Sequence, residues 1–192
     1  MCGKEFLEES RYIDFSNDIV KLKAKELFAK GMTDIEKVMT AYEFVRDKIK
    51  HSFDINADVV TAKASDVLKY KTGICHAKSN LLAALLRSEG IPTGFCFQRL
   101  TLLDDDSKGY CLHGLNAVFL DGRWIRLDAR GNKKGVDAQF SVYKEKLAFS
   151  IREQYDEIFY EGIHASPHLE TMKLLETAEN INYVFENLPE RL

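Results

Sequence analysis

No stretch of this 192-residue chain approaches the run of about 20 apolar residues that a membrane-spanning helix needs. The opening residues Met1-Cys2-Gly3-Lys4-Glu5-Phe6 lack the apolar core of a secretory leader, and no leader precedes Cys2 that would mark it for lipidation. A cytoplasmic protein with no membrane partner is therefore expected. The chain also lacks a dominant charge. Its 27 Lys and Arg and 30 Asp and Glu leave a net charge of −3, interspersed rather than gathered into the basic patch that a nucleic-acid partner requires. The four cysteines, Cys2, Cys75, Cys96 and Cys111, form no CxxC pair or disulfide framework, so reduced thiols are expected. No repeat, low-complexity segment or linker interrupts the chain, which predicts one domain over residues 1–192. The 45% hydrophobic content suffices for an ordinary core.

What the chain does have is centred on Gly73-Ile74-Cys75. From there Ala77, Leu81, Leu82, Ala83, Ala84, Leu85 and Leu86 recur at helical spacing, and Gly90 and Pro92 stop the helix. A cysteine in the first turn of such a helix meets the positive end of the dipole and unpaired backbone N–H groups, both of which favour thiolate. Cys75 is thus the candidate nucleophile, against the plainer reading of a small buried apolar residue. Cys96 and Cys111 fall within predicted strands and read as core.

Before this helix, Ser16 or Asn17 is expected to cap a helix from about Ile19 to Lys30. Thr33 or Asp34 caps a second, with Ile35, Val38, Met39, Tyr42, Val45 and Ile49 on its apolar face. Residues 51–63 read as loop or short strand and a short helix follows around Ser65 to Tyr70. His51 and Tyr70 lie near Cys75 in sequence. After Pro92 the pattern turns to strands: Phe95 to Leu102, an exposed turn at Asp104 to Gly109, then Tyr110 to Leu120 and Arg123 to Asp128. Val136 to Phe140 and Lys146 to Phe149 are possible edge segments. Residues 151–168, with His164 and His168, show no clean period, and Leu169 to about Leu188 reads as helical.

The two strands around Asp121-Gly122 carry the second clue, because these residues are a two-residue hairpin signal. In that register Leu120 faces Arg123 and Leu115 faces Asp128. His113 then lies diagonally across from Asp128 on one face, where Cα atoms about 7–8 Å apart let an imidazole and a carboxylate meet. Cys75, His113 and Asp128 together supply a nucleophile, a base and an acid that orients the base. A metal site built from Cys75, His76, Cys111 and His113 is the rival, but the closely spaced ligand pairs of zinc sites are missing. No metal or organic cofactor is required. His76 is a poor base for Cys75, since adjacent helical side chains diverge by about 100°.

These segments resemble the transglutaminase-like superfamily of papain-like thiol proteins. The likeness runs through Gly73-Ile74-Cys75, Leu82 to Pro92, His113 at the head of a strand, and Asp121-Gly122-Arg123-Trp124-Ile125-Arg126-Leu127-Asp128. It spans about residues 35–130 and departs at Leu115, where the family often has an aromatic residue two positions after its His. It implies an α+β fold of the papain-like, transglutaminase-core kind, with N-terminal helices packed on an antiparallel β-sheet. It also implies Cys75 as nucleophile, His113 as general base then acid, and Asp128 as its orienter. The expected function is a thiol hydrolase acting on a peptide or protein substrate, of the cysteine peptidase or amidase kind. The alternatives are a transglutaminase that passes the acyl group to an amine, and a silent peptide-binding or scaffold member. Residues 1–34 and 131–192 match nothing in the family and are left as candidate lid or subsite walls.

Overall fold

The computed structural model describes residues 3–102 and 108–192. Cys2 and the predicted turn at Asp104–Ser107 lie outside the described residues. After a short 3-10 turn at Lys4–Leu7 come α1 (Asp18–Leu27) and α2 (Asp34–Lys48). Asn17 caps α1 through the Ile19 N–H, and Thr33 caps α2 in a reciprocal box with Glu36. Then follow β1 (Lys50–His51), α3 (Ser52–Ile55), α4 (Ala64–Tyr70), β2 (Thr72–Gly73) and α5 (Cys75–Ser88). The second half holds β3 (Thr93–Thr101), β4 (Tyr110–Leu120), β5 (Arg123–Leu127), β6 (Ile158–Phe159), α6 (Leu169–Thr177) and α7 (Ile181–Glu186).

The architecture is α+β, with the helices of the first half packed on an antiparallel sheet, as the family resemblance implies. The strands run in the order β5-β4-β3-β6, while β1 and β2 form a separate parallel pair. The axis of the molecule is α5, packed against α1, α2 and α4 on one side and β3 and β4 on the other. Its Leu81, Leu82, Leu85 and Leu86 are fully enclosed, each contributing roughly 1.5–3 kcal/mol of burial. On the opposite face of the sheet Cys96, Leu115 and Ala117 form a smaller cluster with Trp124 and Phe159.

The hairpin register is the predicted one: Leu120 pairs with Arg123 and Asn116 with Leu127. Asp121 and Gly122 both take positive φ, 49° and 80°, as the twist of a two-residue hairpin demands. Three local expectations differ. Among the described residues the segments around Val136 and Lys146 join no sheet and make only single bridges, Lys133 to Val136 and Gln139 to Lys146. The sheet edge is instead β6, too short to show a period. The helix expected over 169–188 is split in two, with the Asn180 side chain capping α7 through the Tyr183 N–H.

Candidate active site

The position of Cys75 is set by the segment before it. β1 pairs with β2 so that His51 lies beside Gly73, and Thr61 and Thr72 donate hydroxyl bonds to the carbonyls of Thr72 and Lys50. A Cβ on Gly73 would stand 3.1 Å from Ala77 Cβ and 3.2 Å from Thr61 Oγ1, so a larger residue would have to push these neighbours aside by a few tenths of an ångström where the chain turns into α5. Ile74, the residue at the N-cap, offers no side-chain acceptor. The first-turn N–H groups therefore keep their positive character next to the Cys75 sulfur.

His113 and Asp128 meet as the register requires. His113 Nε2 lies 2.7 Å from Asp128 Oδ2, with both side chains buried. Asp128 stands one residue past the end of β5 and is held from several directions: its Oδ1 accepts from the Arg130 N–H at 3.0 Å and its Oδ2 from the Ala148 N–H at 3.3 Å. Its carbonyl accepts from the Tyr42 hydroxyl of α2 at 3.1 Å. The Phe149 ring stands edge-on to His113, centroids 5.2 Å apart. With Nε2 committed to Asp128, the other ring nitrogen is left for the hydrogen bond that His113 makes to Cys75.

The charges of the three groups support one another. Burial opposes a charge on each, but is outweighed in every case. For Cys75 the facing His113, with help from the Gly114 N–H, pulls the thiol below its ordinary range. For His113 the Asp128 carboxylate and the Cys75 sulfur push the imidazole up to about 10. For Asp128 the His113 ring and the Arg130 and Ala148 N–H groups hold the carboxyl down. Cys96 and Cys111 behave oppositely: burial drives both up to about 12. Cys111 nonetheless corrects the expectation of a core residue, because it is only half-buried and lines the same cleft as Cys75.

That cleft has a volume of about 690 Å³ and is lined by Cys75, His113, Cys111, His51, Phe53 and Phe149 among others. At its mouth Arg130 makes a two-pronged ion pair with Asp54 at 2.6 and 2.9 Å, and Lys133 joins the same carboxylate at 2.7 Å. His51 is 7% exposed, with its Nδ1 buried and unpartnered among the described residues. Neither its burial nor its place in the cleft wall could be read from a loop of mixed composition. His76, by contrast, faces away from chemistry. It is buried and its Nε2–H donates to the Leu112 carbonyl at 2.9 Å; burial drives its pKa down to about 3, so it stays neutral. Among the described residues no group of three or more His, Cys, Asp or Glu side chains is placed to hold a metal ion. His164 pairs through its backbone with Phe95, and His168 caps α6 through Thr171.

At Gly114 β4 packs directly against the His76 ring of α5. A Cβ there would sit 2.7 Å from His76 Nδ1, so Gly114→Ala must displace the His76 ring, and with it the turn carrying Cys75. Such overpacking costs roughly 1–3 kcal/mol, a fall in Tm of about 2–12 °C. Differential scanning calorimetry, together with a slower alkylation of Cys75, checks this expectation.

A central helix that presents a thiol at its N-terminus to a His–Asp pair on an antiparallel sheet defines an α+β class of papain-like architecture. The chain belongs to the transglutaminase-like superfamily, whose family model matches residues 22–129. That interval contains Cys75, His113 and Asp128 and reaches back into α1, beyond the span legible from motifs. No curated protein matches the chain. Among solved structures it is similar in fold to the "putative cysteine protease" of Cytophaga hutchinsonii, at 22% sequence identity and a TM-score of 0.53. The similarity covers 68% of this chain but only 43% of that protein. No helix among the described residues is long and apolar enough to cross a membrane.

Proposed function

We propose that this protein is a thiol hydrolase that cleaves peptide or carboxamide bonds through an acyl-enzyme on Cys75. The observation that carries the reading is the His113 ring, bonded to Asp128 at 2.7 Å through Nε2 and interacting with the Cys75 thiol, whose pKa it lowers. The Cys75 thiolate attacks the carbonyl carbon, and the Cys75 N–H faces the developing oxyanion. The imidazolium gives its proton to the leaving amine as the C–N bond breaks. Water then attacks the thioester, His113 takes its proton, and the acid product departs as the thiolate–imidazolium pair reforms. The His–Asp pair and the lowered thiol favour this over a silent peptide-binding member, which has no use for an activated sulfur. Water is the default acceptor, since a transglutaminase has to exclude it. The substrate is a peptide or protein, and the protein acts in the cytoplasm without a cofactor.

The thiolate–imidazolium pair fixes the expected pH dependence. Cys75 is lowered, so the reactive thiolate appears as pH rises through a value below the free-thiol range of about 8.5. His113 is raised, so it keeps its proton until pH nears about 10. Peptide hydrolysis should follow a bell between these limbs. Iodoacetamide labelling, followed by mass spectrometry, should modify Cys75 at lower pH than an ordinary free thiol, and ahead of Cys96 and Cys111. His113→Ala should slow it. Labelling of Cys75 that rises only near pH 8.5, the same in both proteins, would overturn the proposal.

A further inference from the structure

The edge of β4 next to His113 is covered by the chain's own C-terminal segment. Among the described residues β5 pairs with β4 only over Asn116–Leu120, which leaves the preceding residues of β4 without a described strand on that side. There the Leu112 N–H donates to the Pro189 carbonyl at 2.7 Å. Two residues along the strand, the Gly114 N–H meets the Cys75 sulfur. Successive N–H groups on one strand edge are spaced by about 7 Å, so the Pro189 carbonyl occupies the next position along the edge from the thiol. α7 is anchored in the core by Ile181 and Val184. From it Phe185, edge-on to Phe53 at 5.4 Å, and half-buried Leu188 line the cleft that holds Cys75 and His113.

The choice of proline has a physical reason. A residue facing Leu112 in an antiparallel pair would accept from the Leu112 N–H and donate to the Leu112 carbonyl. That carbonyl is already taken by His76 Nε2–H at 2.9 Å. An ordinary residue there would bring an N–H competing for an occupied acceptor, whereas proline has none to place.

We propose that Leu188 and Pro189 sit in a peptide subsite of the cleft, and that this subsite takes an extended polypeptide presenting an apolar residue followed by proline. The ligand adds its backbone to the β4 edge at Leu112, and the chain's own segment competes with it. The inference deepens the peptide-hydrolase reading and rests on it for the cleft's role in catalysis.

The test uses the full chain and Leu188→Asp, with a capped hexapeptide of residues 187–192 as probe and a second hexapeptide carrying Ala in place of Pro. In Leu188→Asp the Leu112 amide should exchange with deuterium about tenfold or more faster as the segment undocks. Added hexapeptide should restore its protection, binding the variant about tenfold or more tighter than wild type and losing several-fold with the Ala-containing peptide. Leu188→Ala serves as the milder change if the charged variant melts early. A Leu112 amide that stays protected in both variants, or one that opens without being reprotected by the peptide, overturns the subsite. Iodoacetamide needs no peptide subsite, which separates this inference from the catalytic one. Slow alkylation of Cys75 with intact peptide binding sinks the enzyme and keeps the subsite, while fast alkylation without peptide binding does the reverse.

Discussion

Asp128→Asn is expected to lower peptide hydrolysis by about 10³–10⁴-fold in a chain that remains folded. Both oxygens of the Asp128 carboxylate are engaged: one serves the Arg130 N–H, the other serves His113 and the Ala148 N–H. Asparagine has one oxygen and one NH₂ group. If its oxygen keeps Arg130, the NH₂ points at His113 and drives the imidazole to the tautomer with the proton on the nitrogen facing the sulfur, where it cannot accept the thiol proton. If the oxygen turns to His113, the Arg130 N–H loses its partner. Either arrangement leaves a buried polar group poorly matched, at about 1–3 kcal/mol, which a domain of ordinary stability survives. Loss of the carboxylate also removes what raises the His113 pKa, so the alkaline limb should move to lower pH and the thiol should titrate nearer about 8.5. Steady-state hydrolysis and the pH profile of alkylation read the two effects separately. An unaltered rate would sink the assignment of Asp128.

Much of this site was legible because its determinants are local. Gly73 before a leucine-rich helix placed Cys75 at an N-terminus, and Asp121-Gly122 set a register in which His113 and Asp128 had to be neighbours. What escaped depends on residues far apart in the chain. Cys111 sits in a strand with apolar neighbours, but β5 stops short of it, so it faces the cleft instead of the core. β6 and the docking of Pro189 on β4 are invisible because each consists of one or two backbone pairings, which leave no period in side-chain polarity. His51 reaches the cleft only because a two-residue parallel pair brings it beside Gly73. The segments around Val136 and Lys146 carried strand-like residues, yet their backbone is used otherwise: next to them the Ala148 N–H donates to the Asp128 side chain.

Lys78→Met is the change expected to cost the most stability. A lysine three residues into an apolar helix reads as an exposed position, but Lys78 is fully buried. Its Nζ donates to the carbonyls of Ile49 at 2.6 Å, Arg130 at 2.7 Å and Arg46 at 3.4 Å. It thus caps the C-terminal end of α2 and ties that end to the residue whose N–H holds Asp128. Gly131 makes room for it, since a Cβ there would stand 3.3 Å from both Nζ and the Arg46 carbonyl. Replacing a buried charge with an apolar residue can be neutral when its partners leave with it. Here the three carbonyls stay, and methionine fills the volume without donating to them. At about 1–3 kcal/mol for each buried acceptor left unpaired, the three carbonyls amount to roughly 3–9 kcal/mol; removal of the buried lysine's own desolvation cost offsets part of this, which leaves a loss of roughly 3–5 kcal/mol, or about 6–20 °C in Tm. The pH dependence carries a second signature. Burial pushes Lys78 down to about 7, whereas the unfolded chain titrates near about 10.4. Between these values the unfolded state binds more protons, so this lysine makes wild-type stability rise with pH across that window. The variant lacks that rise, and the stability gap between the two should widen from pH 7 towards 10. Urea unfolding at several pH values measures it; a gap that is absent, or that narrows as pH rises, would remove Lys78 from the support of the Asp128 loop.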